Sequence, residues 1–171
     1  RLPIANDVTS IGSYIASPNG GVRYSITQPR CGAAPIDISA AALQSAAPTQ
    51  TALVESTKVR IGDTLFFRVH DRSANRDPNA IDSIEVIVAA PSGDEERLTI
   101  FETGENTGDF VGGIRTSNAS NAPVAGDCTL DLEIGNDITV SYLGQDGQPR
   151  LSARVSAFVR PSGFVFDSRD G

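Results

Sequence analysis

Between positions 61 and 116 the chain lays down four short apolar runs, each closed by Gly, Pro, Asn or Asp. Leu65, Phe67 and Val69 alternate with Thr64, Phe66 and Arg68. Ile84, Val86 and Val88 alternate with Ser83, Glu85 and Ile87, and Leu98 and Ile100 alternate with Arg97 and Thr99. Phe110 and Ile114 lie on one face of the fourth run. A period of two over short runs is the signature of half-buried strands, since successive side chains point to opposite faces.

The same pattern extends in both directions. Strands are predicted at 57–60, 64–70, 83–89, 97–102, 110–115, 128–134, 137–143 and 150–159. Cys128, Leu130, Leu132 and Ile134 share a face, as do Ile138, Val140 and Tyr142. Gly135-Asn136 and, more strongly, Asp146-Gly147 are candidate tight turns. Short strands at this spacing predict an all-β, antiparallel β-sandwich. An earlier strand is predicted at 21–27, where Val22, Tyr24 and Ile26 share a face and Pro29 ends the run. Positions 1–17 hold only scattered apolar residues. Positions 31–57 are rich in Ala, Ser, Thr and Pro, with a short helix predicted at 39–46 on propensity. A connection this long is unusual inside a compact domain. It divides the chain into an N-terminal appendage of strands and an Ala/Ser/Pro-rich arm (1–56), extended or partly helical, and a main domain (57–160). Positions 161–171 read as a last strand or the start of a following domain, because Phe164, Val165 and Phe166 need a partner surface.

Charge narrows the partners. The net charge of −7 argues against nucleic acid, whose phosphates would be repelled, and against an anionic membrane surface. No apolar run approaches the length of a helical membrane span, so no membrane insertion is expected. The chain has no methionine, which points to a processed product or a segment of something longer. Cys31 and Cys128 fit no zinc or C-x-x-C spacing. Either they form one disulfide in an oxidising compartment, or they are two buried thiols in a reducing one.

The best candidate site is the loop after the second run. Asp71, Asn75 and Asp77 recur at even spacing with Ser73, and Asp82 follows. Alternating oxygen ligands can wrap calcium, which takes six to eight hard oxygens. The loop lacks the EF-hand glycine and glutamate, and Arg72 and Arg76 compete for its carboxylates. A solvated loop of Asx turns accounts for the same residues. His70 is the only histidine, and no serine stands in a nucleophile-elbow context. Glu95 and Glu96 in S-G-D-E-E read as a wet turn, and Asp131 and Glu133 as a further carboxylate pair. No phosphate-binding glycine loop is present, and N-A-S at 118–120 is a glycosylation sequon. No catalytic residues are assigned.

Gly62-Asp63-Thr64, then Asp71, Asn75, Asp77, Pro78 and Asp82, then Glu102-Thr103-Gly104, Asn106-Thr107-Gly108, Phe110 and Gly112 form an ordered series over 57–159. The series resembles the Ig-like repeat modules of large secreted bacterial surface proteins, found also in archaeal S-layer proteins. Cys128 departs from the pattern, which more often has glycine there. The resemblance implies an Ig-like sandwich, an extracellular or cell-surface location and mechanical or adhesive work without enzymatic activity. The expected function is therefore a structural module that spaces or presents neighbouring domains. One alternative is a filament or pilus-type subunit, in which identical subunits join by β-strand addition through 1–15 or 163–166. Another is an adhesin acting through loops 71–82 and 117–127.

Overall fold

The computed structural model describes residues 8–17, 20–32, 34–35, 49–118 and 126–159; the helix predicted at 39–46 and the tail at 161–171 lie outside them. The first half of the chain gives β1 (Ser10–Ala16), β2 (Val22–Ile26), β3 (Arg30–Cys31), β4 (Ala34–Pro35), β5 (Thr49–Glu55), β6 (Lys58–Arg60) and β7 (Thr64–His70). After a 3-10 turn at Arg72–Ala74 come β8 (Ser83–Ala89), β9 (Glu95–Glu102), β10 (Asp109–Asn118), β11 (Thr129–Leu132), β12 (Asp137–Leu143) and β13 (Pro149–Phe158). The fold is nearly all β. The strands hydrogen-bond in the order β2-β5-β1-β7-β10-β9-β8-β12-β13-β6, with β11 beside β10 and the β3–β4 pair beside β9.

The sheet is mixed, which corrects the antiparallel expectation. β11 runs parallel to β10, with Arg115 opposite Thr129 and Asn118 opposite Leu132. β13 runs parallel to β6, with Ala157 opposite Val59. Parallel neighbours need a crossover in place of a tight turn. The parallel partners are separated in the chain by the residues between Asn118 and Thr129 in one case and by the whole stretch from β7 to β12 in the other, so local alternation does not reveal the pairing.

The N-terminal segment is less peripheral than its pattern suggests. β1 lies between β5 and β7, antiparallel to both: Tyr14 registers with Glu55 on one side and Phe66 on the other. Its buried residue is Ser13, whose Oγ donates to the Ser56 carbonyl oxygen at 2.5 Å. The strand is held by ladders on both edges, so it can form with few apolar residues of its own. Together β1, β2 and β5 extend the same sheet that β7 begins.

Leu65, Phe66 and Phe67 are all buried, so β7 is covered on both faces. Two glycines opposite make this possible. Gly112 registers with Phe67 and Gly113 with Phe66. A Cβ on Gly113 would lie 3.0 Å from the Phe66 ring, and one on Gly112 would overlap Ile100. Leu98, Ile100, Phe110, Ile114, Leu130 and Ile138 join them in one apolar core. Each such side chain contributes about 1.5–3 kcal/mol on leaving water.

β11 stops two residues before the predicted end at 134. Asn136 N–H bonds the Glu133 carbonyl, and Glu133 N–H bonds Asn136 Oδ1, so the chain turns there and Ile134 is 69% exposed. β11 and β12 are consecutive but unpaired, so Gly135-Asn136 is not a hairpin turn. Asp146-Gly147 does join a paired hairpin, β12–β13, with Gly147 at φ +78°.

Candidate functional site

The acidic loop and the E-T-G-E-N-T-G-D-F turn form one interlocked corner. Glu102 ends β9 fully buried; its Oε1 accepts from Asp82 N–H at 2.8 Å and its Oε2 from Gly108 N–H at 2.9 Å. Asp71 N–H in turn donates to the Gly108 carbonyl at 2.8 Å. Asn75 Nδ2 donates to Asn106 Oδ1 at 2.6 Å, while Asn75 Oδ1 is buried without a donor. Asn106 and Gly108 hold φ of +62° and +70°, which lets the turn fold back tightly enough for these bonds.

The four calcium candidates are engaged separately. Asp77 Oδ1 accepts from Asn79 N–H and Asp82 Oδ2 from Asp77 N–H, both at 2.9 Å. Asp71 is buried and turns inward. Its Oδ1 accepts from Ser73 N–H and Oγ–H, and its Oδ2 from the Tyr142 hydroxyl at 2.6 Å. Arg150 Nη1 lies 3.6 Å from the same Oδ2. Among the described residues, Asp71, Asp77 and Asp82 do not form a converging group of three acidic ligands. Burial alone would raise the Asp71 pKa, but the Ser73 and Tyr142 hydrogen bonds and the Arg150 charge outweigh it and hold the carboxyl below its ordinary value. Burial and the bond to Asp71 push Tyr142 up to about 12.

Tyr142, Arg150 and Arg76 line an open cleft of about 980 Å³ between this corner and the β12–β13 turn. The Arg150 guanidinium lies 6.0 Å from the Tyr142 ring centre. His70 ends β7, with Nδ1 2.7 Å from Asp109 Oδ1; Arg68 Nη2 donates to that same oxygen at 2.6 Å. This geometry orients the imidazole within an ion-paired strand end.

A second acidic region surrounds the cysteines. Cys31 and Cys128 are bridged, with Cα atoms 5.7 Å apart, tying β3 to the segment before β11. Glu96 is fully buried rather than wet. Its Oε1 accepts from Cys128 N–H at 2.8 Å and its Oε2 from Gly126 N–H at 3.0 Å. Burial, with a hydrogen bond to and the charge of Asp94, pushes its pKa up to about 8. Asp94, also fully buried, accepts from Asp131 N–H at 2.7 Å through Oδ2. Carboxylate oxygens of Asp94, Asp127 and Asp131 lie within 4.8 Å of one another. The two sulfurs near Glu96 are bonded to each other, so they are not thiolate ligands.

The sequence offers Glu96 as part of a wet turn and Asp131 as a partner of Glu133, and does not join them to Asp94 and Asp127, although one signal for a buried Glu96 is present. Glu96, Leu98, Ile100 and Glu102 fall on one face of β9 by period two, so the apolar pair predicts two inward carboxylates. Asp94 and Asp127 carry no comparable signal, because each sits in a turn or loop where Asp is common.

No family model matches the chain, and no curated protein matches it.

Proposed function

We propose that the chain is a non-enzymatic structural module, an Ig-like β-sandwich from an extracellular bacterial surface protein that spaces or presents neighbouring domains. The observation that carries this reading is the corner held by Glu102. The motif residues that resemble surface-protein repeats act there as braces: Glu102 bonds both the acidic loop and the Asn106–Gly108 turn, and Asp71 bonds Tyr142. Two-layer packing is supported by β1 lying against β13 and β2 against β10, pairs that are not neighbours in the hydrogen-bonded order. The Cys31–Cys128 bridge fits an oxidising location.

A spacer sediments as a monomer at micromolar concentration and melts reversibly. Pulled from its two ends in a force microscope, it unfolds in one cooperative step. Stable oligomers, or extension at low force without a peak, would overturn the reading.

One observation favours strand exchange between identical subunits as a second reading. β1 is the first described strand, yet it fills a slot between β5 and β7 that another copy's β1 would fit equally. In that case deleting residues 1–16 yields a monomer that takes up an added 8–17 peptide, whereas the intact chain forms detergent-resistant ladders.

A further inference from the structure

The Asp94, Asp127 and Asp131 cluster has a geometry its own hydrogen bonds do not explain. Their carboxylate oxygens lie within 4.8 Å of one another, no farther apart than two oxygens on opposite sides of one ion at a calcium–oxygen distance of about 2.4 Å. One oxygen of each carboxylate is already committed: Asp94 Oδ2 to Asp131 N–H, Asp127 Oδ1 to Thr129 N–H and Asp131 Oδ1 to the Ser117 hydroxyl. These bonds fix the side chains and leave a second oxygen on each.

Asp94 supplies the independent observation. Its side chain is fully buried, and Oδ1 receives no N–H or hydroxyl hydrogen bond from the described residues, the neighbouring Glu96 carboxyl being the other polar group against this carboxylate. A buried carboxylate oxygen without a donor is costly, and native folds fill such a position with an ion, water or proton. The partner acids lie around that same carboxylate, so a cation would relieve both the missing donor and the mutual repulsion.

The backbone is set for this. Asp127 lies between Gly126 and Cys128, which hold φ of +83° and +70°. Both flanking amides are anchored on Glu96, and Cys128 is bridged to Cys31. The ligand loop is thus held without the ion, which reduces the ordering cost of binding. Asp127 is exposed and Asp131 half-buried, giving the ion an entry path and room for water ligands.

We propose that Asp94, Asp127 and Asp131 form a calcium site that pins the segment before β11 to the start of β9. All three ligands are hard oxygens, one side is open to water, and no soft ligand is present, a set that suits Ca²⁺ better than a transition metal.

The test uses the intact, disulfide-bonded chain, stripped with chelator and titrated with Ca²⁺ alone. Calorimetry gives one ion per chain. At a hundredfold excess over the dissociation constant, the melting temperature rises by about 5–10 °C. Backbone NMR shifts map to positions 94–96 and 126–131. Asp94→Asn abolishes binding; because that buried change can also perturb the fold, exposed Asp127→Asn serves as the second variant and weakens binding at least tenfold with the spectrum otherwise unchanged. The proposal is overturned by an absence of heat and shifts at millimolar Ca²⁺, by shifts centred on 71–82, or by a folded Asp127→Asn protein that binds like the parent.

Discussion

The Tyr142 hydroxyl donates to Oδ2 of Asp71 at 2.6 Å, joining residues 71 positions apart in the sequence. The bond fastens the end of β12 to the residue that caps the 3-10 turn after β7. Both partners are buried, so neither can be rehydrated cheaply when the other is lost. Asp71 has a lowered pKa: its contribution is complete above the ordinary 3.8 and is lost as pH falls through the lower folded value. Tyr142 has a raised pKa: its contribution is complete below the ordinary 10.0 and is lost as pH rises toward about 12. Urea midpoints measured against pH therefore decline on both the acid and the alkaline side. Tyr142→Phe costs about 1.5–3 kcal/mol at neutral pH, removes this tyrosine's alkaline contribution and moves Asp71's acid loss to higher pH.

Glu102 holds two backbone amides at once. Glu102→Ala leaves Asp82 N–H and Gly108 N–H without their acceptor and costs on the order of 3 kcal/mol in urea unfolding. Hydrogen exchange at those two amides accelerates more than at Ile100, in the middle of the same strand. Equal acceleration along β9 would mean that Glu102 supports the strand and not the corner.

Gly112 registers opposite Phe67, and any side chain there points at Ile100. An added methyl overlaps Ile100 Cγ2 and lies 3.3 Å from Pro29 Cγ. Gly112→Ala destabilises by about 1–3 kcal/mol through overpacking. Ile100→Ala removes the obstructing atom, so the double variant loses less than the sum of the two singles. A strictly additive cycle would show that the contact does not limit the site.

The disulfide closes a separation of 97 positions. Replacing both cysteines by serine lowers stability by about 4–5 kcal/mol on the chain-entropy account. The same drop appears when the parent is unfolded under reducing conditions. A drop of under about 1 kcal/mol would mean that the reduced chain keeps its ends together by other contacts.

Strands whose residues alternate were legible in the sequence, because a half-buried surface imposes its own period. β7, β8, β9 and β12 fall within about two residues of where Leu65, Ile84, Leu98 and Val140 place them. β1 was not legible. Ser13 is its one buried residue, Ile11, Tyr14 and Ile15 pack half-buried against the core without period-two alternation, and the rest is ladders supplied by β5 and β7. No local pattern encodes a neighbour's hydrogen bonds. The parallel pairings were hidden for the same reason. At the candidate sites, spacing drew attention to Asp71, Asn75, Asp77 and Asp82, yet even spacing along a loop does not fix where side chains point. Asp94, Asp127 and Asp131 come together only because β9 and β11 flank the same region of the fold.

The pairing of Ala157 with Val59 sets an order on how the molecule can be completed. A chain emerging from its N-terminus has made Lys58–Arg60 long before the strand that must lie beside it exists. Until Phe158 arrives, that edge stays open, and a passing chain can occupy it. Assembly is thus late and all at once, a zip whose last tooth is the last described strand, and any truncation within β13 produces a sticky chain in place of a slightly weaker one.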